Sequence, residues 1–225
     1  VVEAMLPYFS EDYANPGGMY DFAKRVGHKI QDAREAVKEF MGANDQKEIY
    51  FTGCGSESAN MAIRGVLSAD RSKNHIITTK VEHPCVLNVY KQLEKEGYTV
   101  TYAGVNSAGE LNVDEIYDAV NDKTALVACM YANNETGAIF PVEEIAQKVK
   151  SLNPKTKVYV DAVQAAGKNG VVSVMISGAV MELWCRRRPC TRSWYGMRMG
   201  RGLLFPSMYH QCLPLNEMVI WFELS

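Results

Sequence analysis

Apolar positions along this chain fall into two alternating rhythms. Short apolar runs lie near residues 48–52, 75–79, 98–102, 124–129 and 157–160. They have the length of strands and few polar interruptions, as strands covered on both faces do. Between them the apolar residues recur at helical spacing. Met19–Phe40 places Phe22, Val26, Ile30, Ala33 and Val37 on one face, and Ser56–Leu67, Cys85–Glu96, Val113–Ala119 and Val142–Val149 continue the alternation. Pro141 and the acids Glu143 and Glu144 suit the start of the last of these helices, where the dipole favours negative charge. Strands alternating with helices, without repeats, predict an α/β fold with a mainly parallel sheet between two helical layers.

In such a sheet, ligands bind at the C-terminal edge, so the polar residues that follow each apolar run matter most. The run Lys157-Val158-Tyr159-Val160 ends in Asp161, with Gln164 three residues on. An acid there can pair with the protonated pyridine nitrogen of pyridoxal phosphate, and a nearby amide can bond the ring's phenolic oxygen. The competing reading of Asp161 is a turn former or helix cap. Phe51-Thr52-Gly53-Cys54-Gly55-Ser56 runs from a strand through small residues into a helix. Backbone N–H groups at Gly55 and Ser56, the Ser56 hydroxyl and the helix dipole can cradle a phosphate. The plainer alternative is a strand-to-helix turn capped by Ser56. His83, before Pro84, and Asn133-Asn134, before Glu135-Thr136-Gly137, follow two further runs. Each alone reads as a turn. Four polar groups at four strand ends are harder to explain that way.

Together these segments resemble the class V aminotransferase family, and within it the cysteine desulfurases of the NifS/IscS type. The matching pieces are Asn15-Pro16, Thr52 to Asn60, Glu82-His83, Asn133 to Gly137 and Asp161 to Lys168, in the family's order and approximate spacing. The resemblance covers about residues 1–168. It implies the truncated large domain of a fold-type I pyridoxal phosphate transferase, a three-layer α/β structure. It also implies that Gly55 and Ser56 hold the cofactor phosphate, that His83 stacks on the ring and shuttles protons, that Asn134 and Gln164 contact the phenolic oxygen, and that Asp161 pairs with the ring nitrogen. The implied reaction takes sulfur from L-cysteine, leaving alanine and an enzyme persulfide that feeds a scaffold protein for iron–sulfur cluster assembly, in a cytoplasmic homodimer. A selenocysteine lyase or other class V β-lyase would share every one of these motifs.

The chain also departs from the family. Ser56 replaces a threonine, the N-terminal strand region is missing, and no Ser-Gly-His-Lys segment follows Lys168 to supply the lysine that holds the cofactor covalently. Ser177-Gly178-Ala179-Val180 has the Ser-Gly without the His-Lys. Residues 169–225 contain no Lys and no Asp, yet hold all three Trp, three of six Cys and six of eleven Met. Residues 1–168 are therefore read as a partial cofactor-binding domain and 169–225 as a divergent tail, frameshifted or non-native. The chain itself is expected to be an inactive fragment, and no loop cysteine is assigned as nucleophile. A catalytically dead scaffold protein of the same fold is the alternative from a different functional class.

Composition narrows the partners. A net charge of −2, with 47% hydrophobic and 22% charged residues, gives no reason to expect nucleic acid or a membrane surface. Six cysteines without a pairing pattern fit a reducing compartment. Cys185, Cys190, His210 and Cys212 do not make the two spaced pairs of a zinc site, because His210 and Cys212 are separated by a single residue, so no metal is expected. One outcome follows from the missing lysine segment. Treated with pyridoxal phosphate and then borohydride, the 225-residue chain should yield no stoichiometric pyridoxyl-lysine at any single position. Peptide mapping by mass spectrometry checks this.

Overall fold

A computed structural model describes residues 2–166 together with the backbone of two later strands, Ala179–Cys185 and Val219–Leu224. The chain divides into two compact units, Val1–Ile49 and Tyr50–Ser225. In the first, two single-turn helices, α1 (Val2–Met5) and α2 (Pro7–Ser10), precede the long helix α3 (Asp21–Met41). Of the stripe predicted for α3, Val26 is buried and Phe22, Ile30, Ala33 and Val37 are half-buried, while Ala23 and Met41, outside that stripe, are buried as well. The helix ends because Gly42 turns left-handed at φ 67°, a conformation that costs glycine little, and its N–H and that of Ala43 close on the last-turn carbonyls of Glu39 and Lys38. Glu35 holds both Lys38 and Gln46 at 2.6 Å, and Arg34 donates to the carbonyl of Ile49.

The second unit is built on a sheet of strands β1 (Ile49–Thr52), β2 (His75–Thr79), β3 (Thr99–Ala103), β4 (Thr124–Ala128), β5 (Lys157–Asp161), β6 (Ala179–Cys185) and β7 (Val219–Leu224). Their spatial order is β1-β7-β6-β5-β4-β2-β3. The pairs β3/β2, β2/β4, β4/β5, β5/β6 and β6/β7 are all parallel. Helices α4 (Gly55–Ala69) and α5 (Pro84–Lys95) cover one face. Their Ala59, Ile63, Leu67, Val86, Tyr90 and Leu93 pack with Ile76, Leu126 and Tyr159 of the strands. Helices α6 (Val113–Ala119) and α7 (Val142–Leu152) bring Ile116, Val142, Ile145 and Val149 to the opposite face, where the alternate residues Ile77, Val127 and Val158 are buried. Every residue of β2 and β4 is buried, including the polar His75, Thr78, Thr79 and Thr124.

The predicted elements between 19 and 161 are all present, with α3 starting two residues later than expected, α4 one residue earlier and ending two later, α5 shifted one residue earlier and α7 running three residues longer. Strands β6 and β7 went unread in the sequence; both lie in the compositionally distinct tail. Lys168, Ser177-Gly178, Arg186–Arg188, Cys190, His210 and Cys212 lie outside the described residues. Among the described residues no helix is long and apolar enough to cross a membrane, and no cluster of His, Cys, Asp and Glu could hold a metal ion.

The strand order contains one reversal. After β2 the chain moves outward to β3, and from β4 onward it proceeds the other way across the sheet. The segment after β2 leads to α5 on one face and the segment after β4 to α7 on the other, which opens a crevice at the carboxyl ends of these two neighbours. Leu126 of β4, fully buried against the residues of α4 and α5, should be sensitive to truncation. Leu126→Ala is expected to cost about 2–5 kcal/mol in urea unfolding, and a loss under about 1 kcal/mol would contradict the packing described for this face.

Candidate active site

The loop after β4 is organised by its first asparagine. Asn133 Oδ1 accepts from the N–H groups of Glu135 and Thr136, at 3.0 and 2.9 Å, and from the Thr136 hydroxyl at 3.1 Å. Its Nδ2 reaches across the crevice to the carbonyl of Val81 at 3.1 Å, tying this loop to the one after β2. Gly137 adopts φ 76° and donates to the Asn133 carbonyl, closing the turn where an L side chain would be strained. Asn133 is thus consumed by the fold. Asn134 is left exposed and lines an open cleft of about 410 Å³ with Tyr131, Thr136, Ile139, Gln164 and Ala165.

Asp161 ends β5 beside this cleft and is 5% exposed. One oxygen accepts the Val163 N–H at 3.0 Å, so the acid does form the turn that the plainer reading required. That turn brings Gln164 to the cleft wall. No Lys or Arg pairs with Asp161 among the described residues. Burial holds its carboxyl above the ordinary range, opposed by the Val163 N–H and by nearby His83.

His83 is the N-cap of α5. Its Nδ1 accepts the Cys85 N–H at 3.2 Å and lies 3.0 Å from the Cys85 sulfur. An acceptor role for Nδ1 toward the backbone places the ring proton on Nε2. Pro84 at the first helical position lacks an N–H that would have needed a partner. The turn reading and the proximity to Asp161 therefore both hold for His83.

Gly55 and Ser56 stand apart from this group. They are the first and second residues of α4, and neither lines the cleft around Asn134 and Gln164. Cys54, not Ser56, is the N-cap, and it caps through no side chain. The turn is stitched by Thr52 and Ser58, whose hydroxyls lie 2.6 Å apart, and by Glu57, whose carboxylate accepts the Gly53 N–H at 2.7 Å. The Ser56 hydroxyl is exposed at a fifteen-residue helix's positive end.

One residue of this region had no role assigned from sequence. Glu82 is 4% exposed, and its Oε1 accepts the Thr79 hydroxyl at 2.7 Å and the Met130 N–H at 2.8 Å. Its other oxygen is buried without a partner. Burial pushes its pKa up to about 8, against those two hydrogen bonds, and the neighbouring Asp161 pushes the same way. The signal in the sequence was a lone acid between strand β2 and a helix start. Its partner at Met130 could not be read locally.

With this geometry in view, comparison with known proteins is informative. The profile of the family described as "Aminotransferase class-V" matches residues 1–174, and the chain belongs to that family. It is 54% identical over 168 residues to a cysteine desulfurase of Nostoc sp., an alignment covering 75% of this chain and 41% of that protein. The chain thus spans about two fifths of the length of this relative. A solved NifS-like protein superposes with a TM-score of 0.71 at 38% identity, over 74% of this chain and 46% of the other. Another, a structure titled "SspA in complex with cysteine", superposes at 0.68 with 33% identity, over 73% and 47%.

The three described cysteines differ in environment. Cys54 is exposed, Cys85 is half-buried beside His83, and Cys129 is buried with its thiol pushed well above its usual pKa by burial. Because thiolate is the reactive form, iodoacetamide should label Cys54 and Cys85 in the native chain and reach Cys129 only on unfolding. Site-by-site mass spectrometry against urea concentration checks this, and native labelling of Cys129 at the rate of Cys54 would contradict the packing of β4.

Proposed function

We propose that this chain carries the cofactor-binding part of a pyridoxal phosphate-dependent cysteine desulfurase. The observation that carries the reading is Asp161, a buried carboxylate at the end of a parallel strand with His83 nearby and no Lys or Arg partner among the described residues. A cationic ring nitrogen is the partner such an acid lacks. The surrounding groups fit the same ligand. Asn134 and Gln164 offer amides along one cleft wall for a phenolic oxygen, and His83 offers a flat ring next to Asp161. Gly55 and Ser56, at the start of α4 and apart from this cleft, are proposed to hold the phosphate at the helix's positive end.

When bound, pyridoxal phosphate supplies an electron-withdrawing ring that accepts charge developing on the substrate carbon. Asp161 keeps the ring nitrogen protonated, because a buried carboxylate without another cation favours that proton strongly. His83 holds a proton on Nε2, the nitrogen not engaged by the α5 N-terminus; with Nδ1 also protonated it would give the Nε2 proton to substrate and take it back at the same atom. Gln164 and Asn134, both lining the cleft, would contact the phenolic oxygen. L-Cysteine is the proposed substrate, supported by the desulfurase relatives and by the cysteine-bound structural neighbour. Residues 1–168 are proposed as the cofactor-binding portion and 169–225 as a tail of different origin. The 168 residues aligned to the desulfurase relative support that division. Homodimerisation, transfer to a sulfur-acceptor protein and a cytoplasmic location belong to the same proposal.

Two variants separate the two halves of the site. Asp161→Asn preserves shape but not charge, so binding of pyridoxal phosphate to the full chain should weaken while binding of inorganic phosphate stays unchanged. Ser56→Ala removes one hydrogen bond to a charged group, worth about 1.5–3 kcal/mol, so both ligands should bind roughly tenfold or more weakly. Isothermal titration measures both. An Asp161→Asn variant that binds pyridoxal phosphate as the wild type does would make Asp161 a turn residue only.

A further inference from the structure

We propose that Glu82 is a positioning residue for His83, its carboxyl fixing the turn that carries the imidazole against the carboxyl end of β4. Glu82 directly precedes His83 and sits in the crevice where the sheet reverses. Its Oε1 is the shared acceptor for Thr79 at the end of β2 and for the Met130 N–H just past β4, 48 residues away in sequence. Asn133 makes the second tie, to the carbonyl of Val81. These contacts from opposite sides of the crevice hold residues 81 and 82 and leave little freedom for the ring that follows.

The carboxyl's surroundings select its neutral form. From β2 it meets Thr79, from α5 Tyr90, from β4 Cys129 and Met130, and from β5 Asp161; His83 follows it in the chain. None of these but His83 can carry positive charge, and Asp161 is a second buried acid. A neutral Glu82 keeps Oε1 as acceptor for both donors, whereas an ionised one adds an uncompensated charge beside Asp161. The fold around this carboxyl should therefore lose stability as pH rises, although the Thr79 and Met130 donors themselves favour the ionised form. The direction follows from linkage. The folded-state pKa of about 8 exceeds the ordinary 4.5, so the stability held by this carboxyl is present in full below about 4.5 and is lost as pH climbs toward 8.

The purpose of the clamp rests on the proposed ring-facing role of His83, but its test needs no ligand. Nuclear magnetic resonance of the full chain with labelled histidine should show an inflection of the His83 ring signals near pH 8. That inflection should persist in Cys85→Ala, which removes the thiol beside Nδ1, and vanish in Glu82→Gln, which keeps the acceptor and cannot ionise. At pH 6, hydrogen exchange of the Met130 amide should match wild type in Glu82→Gln and rise at least tenfold in Glu82→Ala. Persistence of the inflection in Glu82→Gln, its loss in Cys85→Ala, or wild-type exchange in Glu82→Ala would overturn the assignment. Failure of pyridoxal phosphate to bind, with these signals as expected, would instead sink the functional reading and leave the clamp standing.

Discussion

A carboxyl group buried without a cation is costly, and the edge of this sheet holds two of them. Glu82 and Asp161 stand at the ends of β2 and β5, each nearly inaccessible to solvent, and each raises the proton affinity it would otherwise have. Neither cost is incidental to the fold. Glu82 takes hydrogen bonds from two strand ends and so closes the crevice at the reversal between β2 and β4. Asp161 spends one oxygen on the turn that carries Gln164 to the cleft. The same two groups therefore shape the site and set its charge.

How legible this was in the sequence differs from residue to residue. Strands β2 and β4 declared themselves because helices cover both faces, so no polar position interrupts His75–Thr79 or Thr124–Ala128 enough to break the run. Helix α7 was announced by Pro141 and its paired acids. The strand-end positions of His83 and Asp161 followed from those elements, since polar residues just past a buried strand must lie at the sheet edge. Glu82 and Asn133 were different. Their partners, Met130 and Val81, lie far along the chain, and only the spatial order of β2 and β4 brings them together. Local pattern carries no information on such pairings. Strands β6 and β7 were missed because the change in composition after residue 168 removed the rhythm by which the earlier strands were read.

Adjacent identical residues show how the fold divides labour. Asn133 satisfies three donors of its own loop and one carbonyl across the crevice, while Asn134 has no structural bond among those described and faces the cleft. The turn explanation of the Asn-Asn pair is right for the first and leaves the second over. Asp161 and His83 divide within single side chains instead. Each makes the local turn or cap that its sequence context suggests, through one atom, and retains a second polar atom for other work. A structural explanation of a polar residue therefore does not exhaust it.

A purely structural account of Asp161 must meet a further demand. The turn at Val163 needs an acceptor and no charge, and asparagine or serine would provide one without burying an ionisable group beside Glu82. Buried acids persist where their charge is matched by a partner or used by chemistry. No Lys or Arg pairs with Asp161 among the described residues, and in the function proposed above a protonated nitrogen of the ligand supplies the match. A ligand with a protonated nitrogen relieves Asp161 and would leave Glu82 free to remain neutral, since only one of two adjacent buried acids then needs to ionise. The clamp on His83 and the charge at Asp161 are in this way coupled, and each depends on the other's protonation state.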